Sequence, residues 1–257
     1  MSTTLCTLNL NGIRSAERRG FLRWIARAKP DVLCLQELRA TPQDVEDELR
    51  AMGGWHSCWF PAVKKGYAGT AVCSRKPPQR FVAGLGFDYL GNEGRAVRAD
   101  FDAFSVISLY IPSGSSGPER QAVKFQFLEQ LTAWMKELRR EKRPIAVCGD
   151  FNIAPTALDL ARPKANEKNS GFLPEERAWF AQAQEAGWVD SVRAHNEGVE
   201  RLYSWWSNRG AAREKDIGWR LDHVLTTPDL HARTKKAWIE TRADLSDHAP
   251  VWVELAT

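Results

Sequence analysis

Acidic and amide side chains recur where the short apolar runs of this sequence end. Leu33-Cys34-Leu35 runs out through Gln36 into Glu37, and Val147-Cys148-Gly149 runs into Asp150, with Asn152 two residues further on. The first apolar run ends near Asn9 and Asn11, another ends at Tyr110, Asp222 opens a later run, and Asp247-His248 stand just ahead of the last. Each placement has an ordinary explanation, because Asp and Asn form turns and cap helices and a tyrosine packs with its hydroxyl wet. The recurrence is what points to chemistry. Strand ends converging on one rim would make a hard, oxygen-rich pocket suited to magnesium. There a metal neutralises non-bridging phosphate oxygens, a carboxylate orients or deprotonates water, and a histidine backed by an acid supplies an oriented proton. These are the parts of a phosphoryl-transfer site.

The elements that must position these groups follow from the hydrophobic pattern. Residues 4–10, 31–35, 70–73, 105–111 and 145–148 read as strands, and 224–226, 237–240 and 250–255 as later ones. Helical periodicity is clearest over 119–140, where Phe125, Leu128, Leu131, Met135 and Leu138 recur at three- and four-residue steps. Shorter helices fit 20–28, 42–52 and 175–186, with Thr41 before Pro42 suited to an N-cap. Several apolar runs alternate poorly, as strands covered on both faces do, so an α/β architecture follows. With no repeat, no low-complexity linker and no break in composition, residues 1–257 read as one domain.

Composition excludes more than it selects. The 257 residues are 43% hydrophobic and 26% charged, ordinary values for a globular chain, and no stretch approaches the length of a membrane span. The N-terminal residues have neither a basic start nor an apolar run, so no secretory leader is expected. The five cysteines form no C-x-x-C pair, and four of them sit in apolar runs, so they read as buried thiols of a reducing compartment, the cytoplasm. The formal charge of +4 favours a polyanionic partner only slightly. There is no phosphate-loop motif of an NTPase and no G-x-S-x-G elbow of an α/β-hydrolase.

At the residues named above the chain closely resembles the exonuclease III-like apurinic/apyrimidinic (AP) endonucleases of the endonuclease/exonuclease/phosphatase superfamily. The likeness runs through blocks in order: Leu8-Asn9-Leu10-Asn11-Gly12, Leu35-Gln36-Glu37, Gly66-Tyr67-Ala68-Gly69, Glu93-Gly94-Arg95, Tyr110-Ile111-Pro112, Gly149-Asp150-Phe151-Asn152, Asn169-Ser170-Gly171-Phe172, Gly218-Trp219-Arg220-Leu221-Asp222 and Ser246-Asp247-His248-Ala249-Pro250. Each block is weak alone, and their order is specific. The resemblance implies a DNase I-like fold, a four-layered α/β sandwich of two packed mixed β-sheets flanked by helices.

It also implies roles. Glu37 would be the main Mg2+ ligand, with Mn2+ able to substitute, and Asn9, Asn11 and Asp247 in or beside the metal shell. Asp150 would orient or deprotonate the attacking water and Asn152 would help hold it, both beside the metal. Tyr110 would sit by the scissile phosphate, and His248, paired with Asp222, would donate to a phosphate oxygen. Asn166, Lys168 and Asn169 lie where the family contacts DNA. Trp205, Trp219 and Leu221 correspond to the apolar pocket that receives a flipped, baseless sugar, which sterically refuses a nucleotide still carrying its base.

The implied activity is cleavage 5′ to an AP site in double-stranded DNA, leaving a 3′-hydroxyl, with 3′-to-5′ exonuclease and 3′-end cleaning beside it, by a monomer. The alternatives are a dedicated 3′-to-5′ exonuclease or 3′-phosphatase, and a phospholipid or inositol-phosphate hydrolase on the same fold. The chain departs from many relatives at His223, where they carry a tyrosine or an apolar residue. It departs again in the Gly/Ser-rich loop 113–117, where some place an arginine. Lys64, Lys65, Arg162, Lys164, Arg209, Arg213 and Lys215 read as further phosphate contacts, and the basic run 139–143 as a solvated complement to a helix dipole.

Overall fold

Apolar runs that do not alternate need cover on both faces, and the architecture supplies it. The computed structural model describes residues 2–87 and 89–256. The strands in chain order are β1 (Ser2–Asn9), β2 (Val32–Gln36), β3 (His56–Phe60), β4 (Thr70–Ser74), β5 (Arg80–Ala83), β6 (Ala96–Asp100) and β7 (Ser105–Tyr110). They continue with β8 (Ile145–Asp150), β9 (Val189–Asp190), β10 (Trp205–Trp206), β11 (Gly218–Trp219), β12 (Asp222–Thr226), β13 (Thr234–Ile239) and β14 (Val251–Ala256). The helices are α1 (Ile13–Arg18), α2 (Phe21–Ala28), α3 (Asp47–Arg50), α4 (Pro118–Arg140), α5 (Pro163–Asn166), α6 (Pro174–Glu185), α7 (Ser191–Ala194) and α8 (Pro228–His231).

Two six-stranded sheets carry the molecule, ordered β13-β14-β1-β2-β4-β3 and β5-β6-β7-β8-β12-β9. Both are mixed. The first pairs β1 with β2 in parallel, the second pairs β7 with β8 in parallel, and the other named pairs are antiparallel. Their inner faces meet through Leu5, Cys34, Val72, Val97, Val106, Cys148, Val224 and Val253. The outer face of the first sheet packs on Phe21, Trp24 and Ile25 of α2. That of the second packs on Phe127, Leu131 and Met135 of α4 and on Trp179 and Phe180 of α6. This is the four-layered sandwich that the resemblance implied. The cysteines are free thiols, and Cys6, Cys34, Cys73 and Cys148 are buried.

The long helix and most inner strands fall within a few residues of their sequence positions. The stretch 42–52 does not form the expected helix. It makes a single 3-10 turn at Pro42–Asp44, extended backbone at Val45 and Glu46, and then the short α3. Val45 turns inward against the core, which interrupts the helix. Thr41 does cap the turn, with its backbone N–H and its hydroxyl both donating to Asp44 at 2.8 Å.

One glycine sets the spacing of the seam. Gly149, at φ 153°, lies opposite Leu109 in the parallel β7–β8 pair, immediately before Asp150, and a Cβ there would stand 1.8 Å from the Leu109 carbonyl oxygen. Only glycine lets β8 come this close and aim the next side chain at the rim. Gly149→Ala is therefore expected to destabilise the fold by about 3 kcal/mol, measured by urea unfolding; a change within experimental error would show that β8 shifts freely.

Candidate active site

The parallel strand pairs of both sheets end at the same rim. Asn9 ends β1, Glu37 follows β2, Tyr110 ends β7, Asp150 ends β8, and Asp222 opens the antiparallel β12 beside it. Asn9 joins the sheets: its amide Nδ2 donates to Glu37 Oε1 and to Asp150 Oδ2, both at 2.9 Å. Its Oδ1 accepts the Asn11 backbone N–H at 2.9 Å, and Asn11 Nδ2 donates to Asp247 Oδ1 at 3.0 Å. Three of these rim residues adopt left-handed backbone, Asn11 (φ 46°), Glu37 (φ 48°) and Asn152 (φ 52°). Asparagine tolerates this region, but at Glu37 it is a strained conformation held by its surroundings. Asp150 Oδ1 fixes the Asn152 turn by accepting its N–H at 2.8 Å, and Asn152 Nδ2 donates to the Ile111 carbonyl at 3.0 Å.

On the other side, His248 Nδ1 donates to Asp222 Oδ2 at 2.8 Å, and its Nε2 lies 4.0 Å from Asp150 Oδ2. Burial works against the imidazolium, but Asp222 and then Asp150 overcome it and raise the His248 pKa to about 10. His248 is thus a standing hydrogen-bond donor into the cleft. Asp150 moves in the unusual direction for an aspartate: burial raises it, His248 opposes, Asp222 and Glu37 raise it further, and the result is about 7. The Tyr110 hydroxyl is also raised, first by burial and then by Glu37.

Single ligand atoms of Glu37, Asp150 and His248 lie within 4.8 Å of one another. His248 is engaged through Nδ1 on Asp222, so the donors the cluster offers a hard divalent cation are the two carboxylates of Glu37 and Asp150. Glu37, Asp150, Asp222 and Asp247 outweigh the cations of His248 and Arg39, so a divalent cation fits the charge as well as the ligand type. The amides of Asn9 and Asn11 point their N–H groups at acids, so here they align carboxylates. Asp247 spends Oδ1 on Asn11 and Ser246 and Oδ2 on Trp205 Nε1 at 3.2 Å.

A cleft of about 830 Å³ opens over these groups, and Trp205, Trp219 and Leu221 wall one side of it. Trp205 stands 6.4 Å from His248 between ring centroids, and Trp219 meets Phe172 edge-on at 6.5 Å. Trp206, by contrast, is core, buried with Tyr203 and under the Arg213 guanidinium. Asn166 and Asn169 line the cleft, and Asn169 donates to Asn166 Oδ1 at 2.8 Å. Lys168 and Lys164 are exposed outside that lining, whereas Arg162, Arg209 and Lys215 are within it. Arg213 is not turned to the cleft; it holds the carbonyls of Ser246 and Ala243, both at 2.8 Å.

The profile of the Endonuclease/Exonuclease/phosphatase family matches residues 6–248. The chain belongs to that family. Over 248 residues it is 38% identical to an exodeoxyribonuclease of Bacillus subtilis, a match covering 96% of this chain and 97% of that one. In structure it is similar to an AP endonuclease from Archaeoglobus fulgidus, with TM-score 0.89, 28% identity and coverage of 99% of this chain and 100% of that one. It is also similar to a 3′ phosphatase from Neisseria bound to a product DNA hairpin, with TM-score 0.88, 30% identity and coverage of 99% and 100%.

Within this family framework several supporting residues escape a sequence reading. Ser204 donates to Asp222 Oδ2 at 2.7 Å and accepts the N–H groups of Leu221 and Asp222, both at 3.0 Å. The Arg95 guanidinium, buried, lies 4.5 Å over the Tyr110 ring. Beneath Asn152, fully buried Lys124 pairs with fully buried Glu176 and donates to the Asn152 carbonyl at 2.7 Å. Glu176 also accepts the N–H groups of Gly171 and Leu173, at 2.6 and 3.0 Å, so this ion pair ties α4 to the 169–173 loop. Both residues sit in ordinary helical patterns, and nothing in the sequence separates them from solvated charges. His223 points away from its neighbour Asp222, as alternate strand residues do. Its Nδ1 accepts from Arg220 at 2.9 Å and its Nε2 donates to the Ile153 carbonyl at 2.8 Å, so it packs beneath the site.

Two outcomes test this geometry. A folded pKa raised to about 7 for Asp150 and to about 10 for His248 means that the fold binds protons more tightly than the unfolded chain does. Stability from Asp150 is then lost as pH rises through 7, and stability from His248, complete below its ordinary value, is lost as pH rises through 10. Thermal melts with chelator present should show Tm falling from about pH 5 to pH 10, with the lower limb absent in Asp150→Asn; equal slopes in both proteins would remove Asp150 as the cause. Lys124→Met strands the Glu176 carboxylate and should cost about 3–5 kcal/mol, partly recovered in Lys124→Met/Glu176→Gln. Additive losses in that double variant would contradict the pairing.

Proposed function

We propose that this chain is a DNA-repair nuclease that hydrolyses the phosphodiester 5′ to an AP site in duplex DNA, leaving a 3′-hydroxyl, and also removes nucleotides from 3′ ends. The observation that carries the reading is the placement of the Trp205, Trp219 and Leu221 wall beside the Asp150–His248 pair in one cleft. An apolar slot next to a hydrolytic carboxylate accepts a baseless sugar and excludes one bearing a base. Extrusion also costs less where stacking is already lost. The AP endonuclease and exodeoxyribonuclease relatives support the same substrate class. The chain works as a single-domain monomer.

Glu37 and Asp150 would hold Mg2+, with Mn2+ accepted, and the metal would supply charge neutralisation on the phosphate oxygens. Asp150 takes the proton of the attacking water as the water oxygen bonds to phosphorus and the bond to the 3′ oxygen breaks, and the departing 3′ oxygen takes a proton from solvent to become the 3′-hydroxyl. Asn152 orients the water and the phosphate. The protonated His248, held by Asp222, donates to a non-bridging oxygen, so charge developing there meets a donor already in place. Tyr110, backed by Arg95, stands beside the scissile phosphate. Asn166, Asn169, Arg162, Arg209 and Lys215 face the flanking strand from the cleft wall.

A second reading, a dedicated 3′-to-5′ exonuclease or 3′-phosphatase, is favoured by the likeness to the Neisseria 3′ phosphatase. The deciding experiment is cleavage of a labelled duplex with one internal AP-site analogue, beside a nicked duplex, with Mg2+ and with excess chelator. Metal-dependent incision just 5′ to the analogue, reduced about 10³-fold or more in Asp150→Ala, is the expected result. Degradation only from the nick or the 3′ end would move the assignment to the second reading.

A further inference from the structure

The helices that follow β1 are unusually rich in arginine, and the cleft does not account for it. Between residues 14 and 29 the chain has Arg14, Arg18, Arg19, Arg23, Arg27 and Lys29 against the single acid Glu17. The guanidinium groups of Arg14, Arg18, Arg23 and Arg27 are exposed, as is that of Arg242 on the neighbouring loop. Among the described residues none of these five has a carboxylate partner. Arg19 is paired, with Asp244 at 2.9 Å, and the Glu17 carboxylate is occupied by the Leu22 backbone N–H at 3.0 Å. Elsewhere on the surface, Arg50 pairs with Asp47, Arg140 with Glu137 and Arg201 with Asp216, while exposed arginines without a carboxylate, Arg75 over the Trp55 ring and Arg162 and Arg209 in the cleft lining, do not form a run on one face. An unpaired cluster on one face is therefore a local feature, and it costs self-repulsion that a polyanion relieves.

The arrangement is ordered. α1 presents Arg14 and Arg18 four residues apart, and α2 presents Arg23 and Arg27 four residues apart. Each pair thus sits about 6 Å apart along its helix, on one side of it, so its two cations lie close enough to meet neighbouring charges of one polyanion. The face is also continuous with the cleft. Arg39, which lines the cleft, also lines a shallow depression with Gly12, Arg14 and Arg18. Beyond it a second depression, of about 550 Å³, is lined by Arg19, Arg23, Arg27 and Arg242. Arginine, with its planar fork of donors, suits bidentate phosphate contacts better than lysine does.

We propose that the α1–α2 face, completed by Arg242, is a second contact track that grips the phosphate backbone of duplex DNA on one flank of the cleft, beyond the nucleotides the cleft itself holds. It rests on the reading of duplex DNA as substrate. The partner is the double helix and not an acidic protein, because the track leads out of the cleft that takes the substrate, through Arg39. Grip on an undamaged flank adds affinity independent of sequence and holds the duplex in register while the lesion is extruded.

The test uses duplexes with one AP-site analogue, trimmed stepwise on either flank, with chelator to prevent cutting and anisotropy to read affinity over a salt series. The wild-type chain should lose affinity when one flank is trimmed. Arg23→Ala/Arg27→Ala/Arg242→Ala should bind the long duplex about tenfold more weakly at moderate salt, with the salt slope shallower by about 2–3, and should no longer respond to trimming of that flank. The same three positions changed to Lys should keep most of the slope. All three residues are exposed, so the variant folds. Equal response to trimming in wild type and variant, or an equal loss on every duplex, would overturn the proposal. Binding to an acidic protein with no effect of flank length would overturn it too. Incision of the shortest duplex by the unmodified chain with Mg2+ tests the nuclease reading separately, so the two can fail independently.

Discussion

Two carboxylates that repel each other have to be held side by side, and almost everything near the cleft follows from that requirement. Glu37 comes from one sheet and Asp150 from the other, and the single amide of Asn9 donates to both. A neutral donor in that position lowers the repulsion without neutralising either acid, which keeps the pair available to a cation. Behind it Gln36 donates to Ser108 at 2.9 Å across the sheets, so the inner faces are hydrogen-bonded where they approach the rim and apolar elsewhere. The strained backbone at Glu37 is tolerable because this seam holds its carboxylate through Asn9.

The same electrostatic logic runs outward. His248 is kept charged by Asp222, Asp222 is kept in place by Ser204, and the carbonyl of Asn152 rests on Lys124, which needs Glu176. Asp222, Ser204, Lys124 and Glu176 are all fully buried, and a buried charge left alone is costly, so the layers form as a set. The candidate catalytic groups are thus the exposed tip of a polar network that reaches through α4 and α6.

What could be read from the sequence was whatever sits on a pattern. Glu37 and Asp150 stand out because an acid ends an apolar run, and the inner strands stand out because burial on both faces leaves long apolar stretches. Strands β3, β5 and β6 do not stand out in the sequence because they mix polar with apolar residues: His56 and Ser57 in β3, Arg80 in β5, Arg98 and Asp100 in β6. Lys124 and Glu176 were invisible for a different reason. A charge on a helix looks the same in sequence whether it faces water or a partner, and only the crossing of α4 and α6 decides which. The departure at His223 resolved into packing, since its strand turns it from the cleft. In sequence Lys168 is indistinguishable from its neighbours Asn166 and Asn169, but it lies outside the cleft lining that they form.

The hydrogen bonds that close the rim join residues 141 positions apart, Asn9 to Asp150, and 236 apart, Asn11 to Asp247. Loop closures of that length are late events for any chain, whatever holds its sheets together. A growing polypeptide can complete the first strands and even the first sheet's helical cover while the cleft does not yet exist, because His248 and Asp247 belong to the loop that delivers the last strand. Cutting ability then arrives all at once, when the loop carrying Asp247 and His248 closes onto the rim. A nuclease assembled in that way is harmless to nucleic acid until that closure is made.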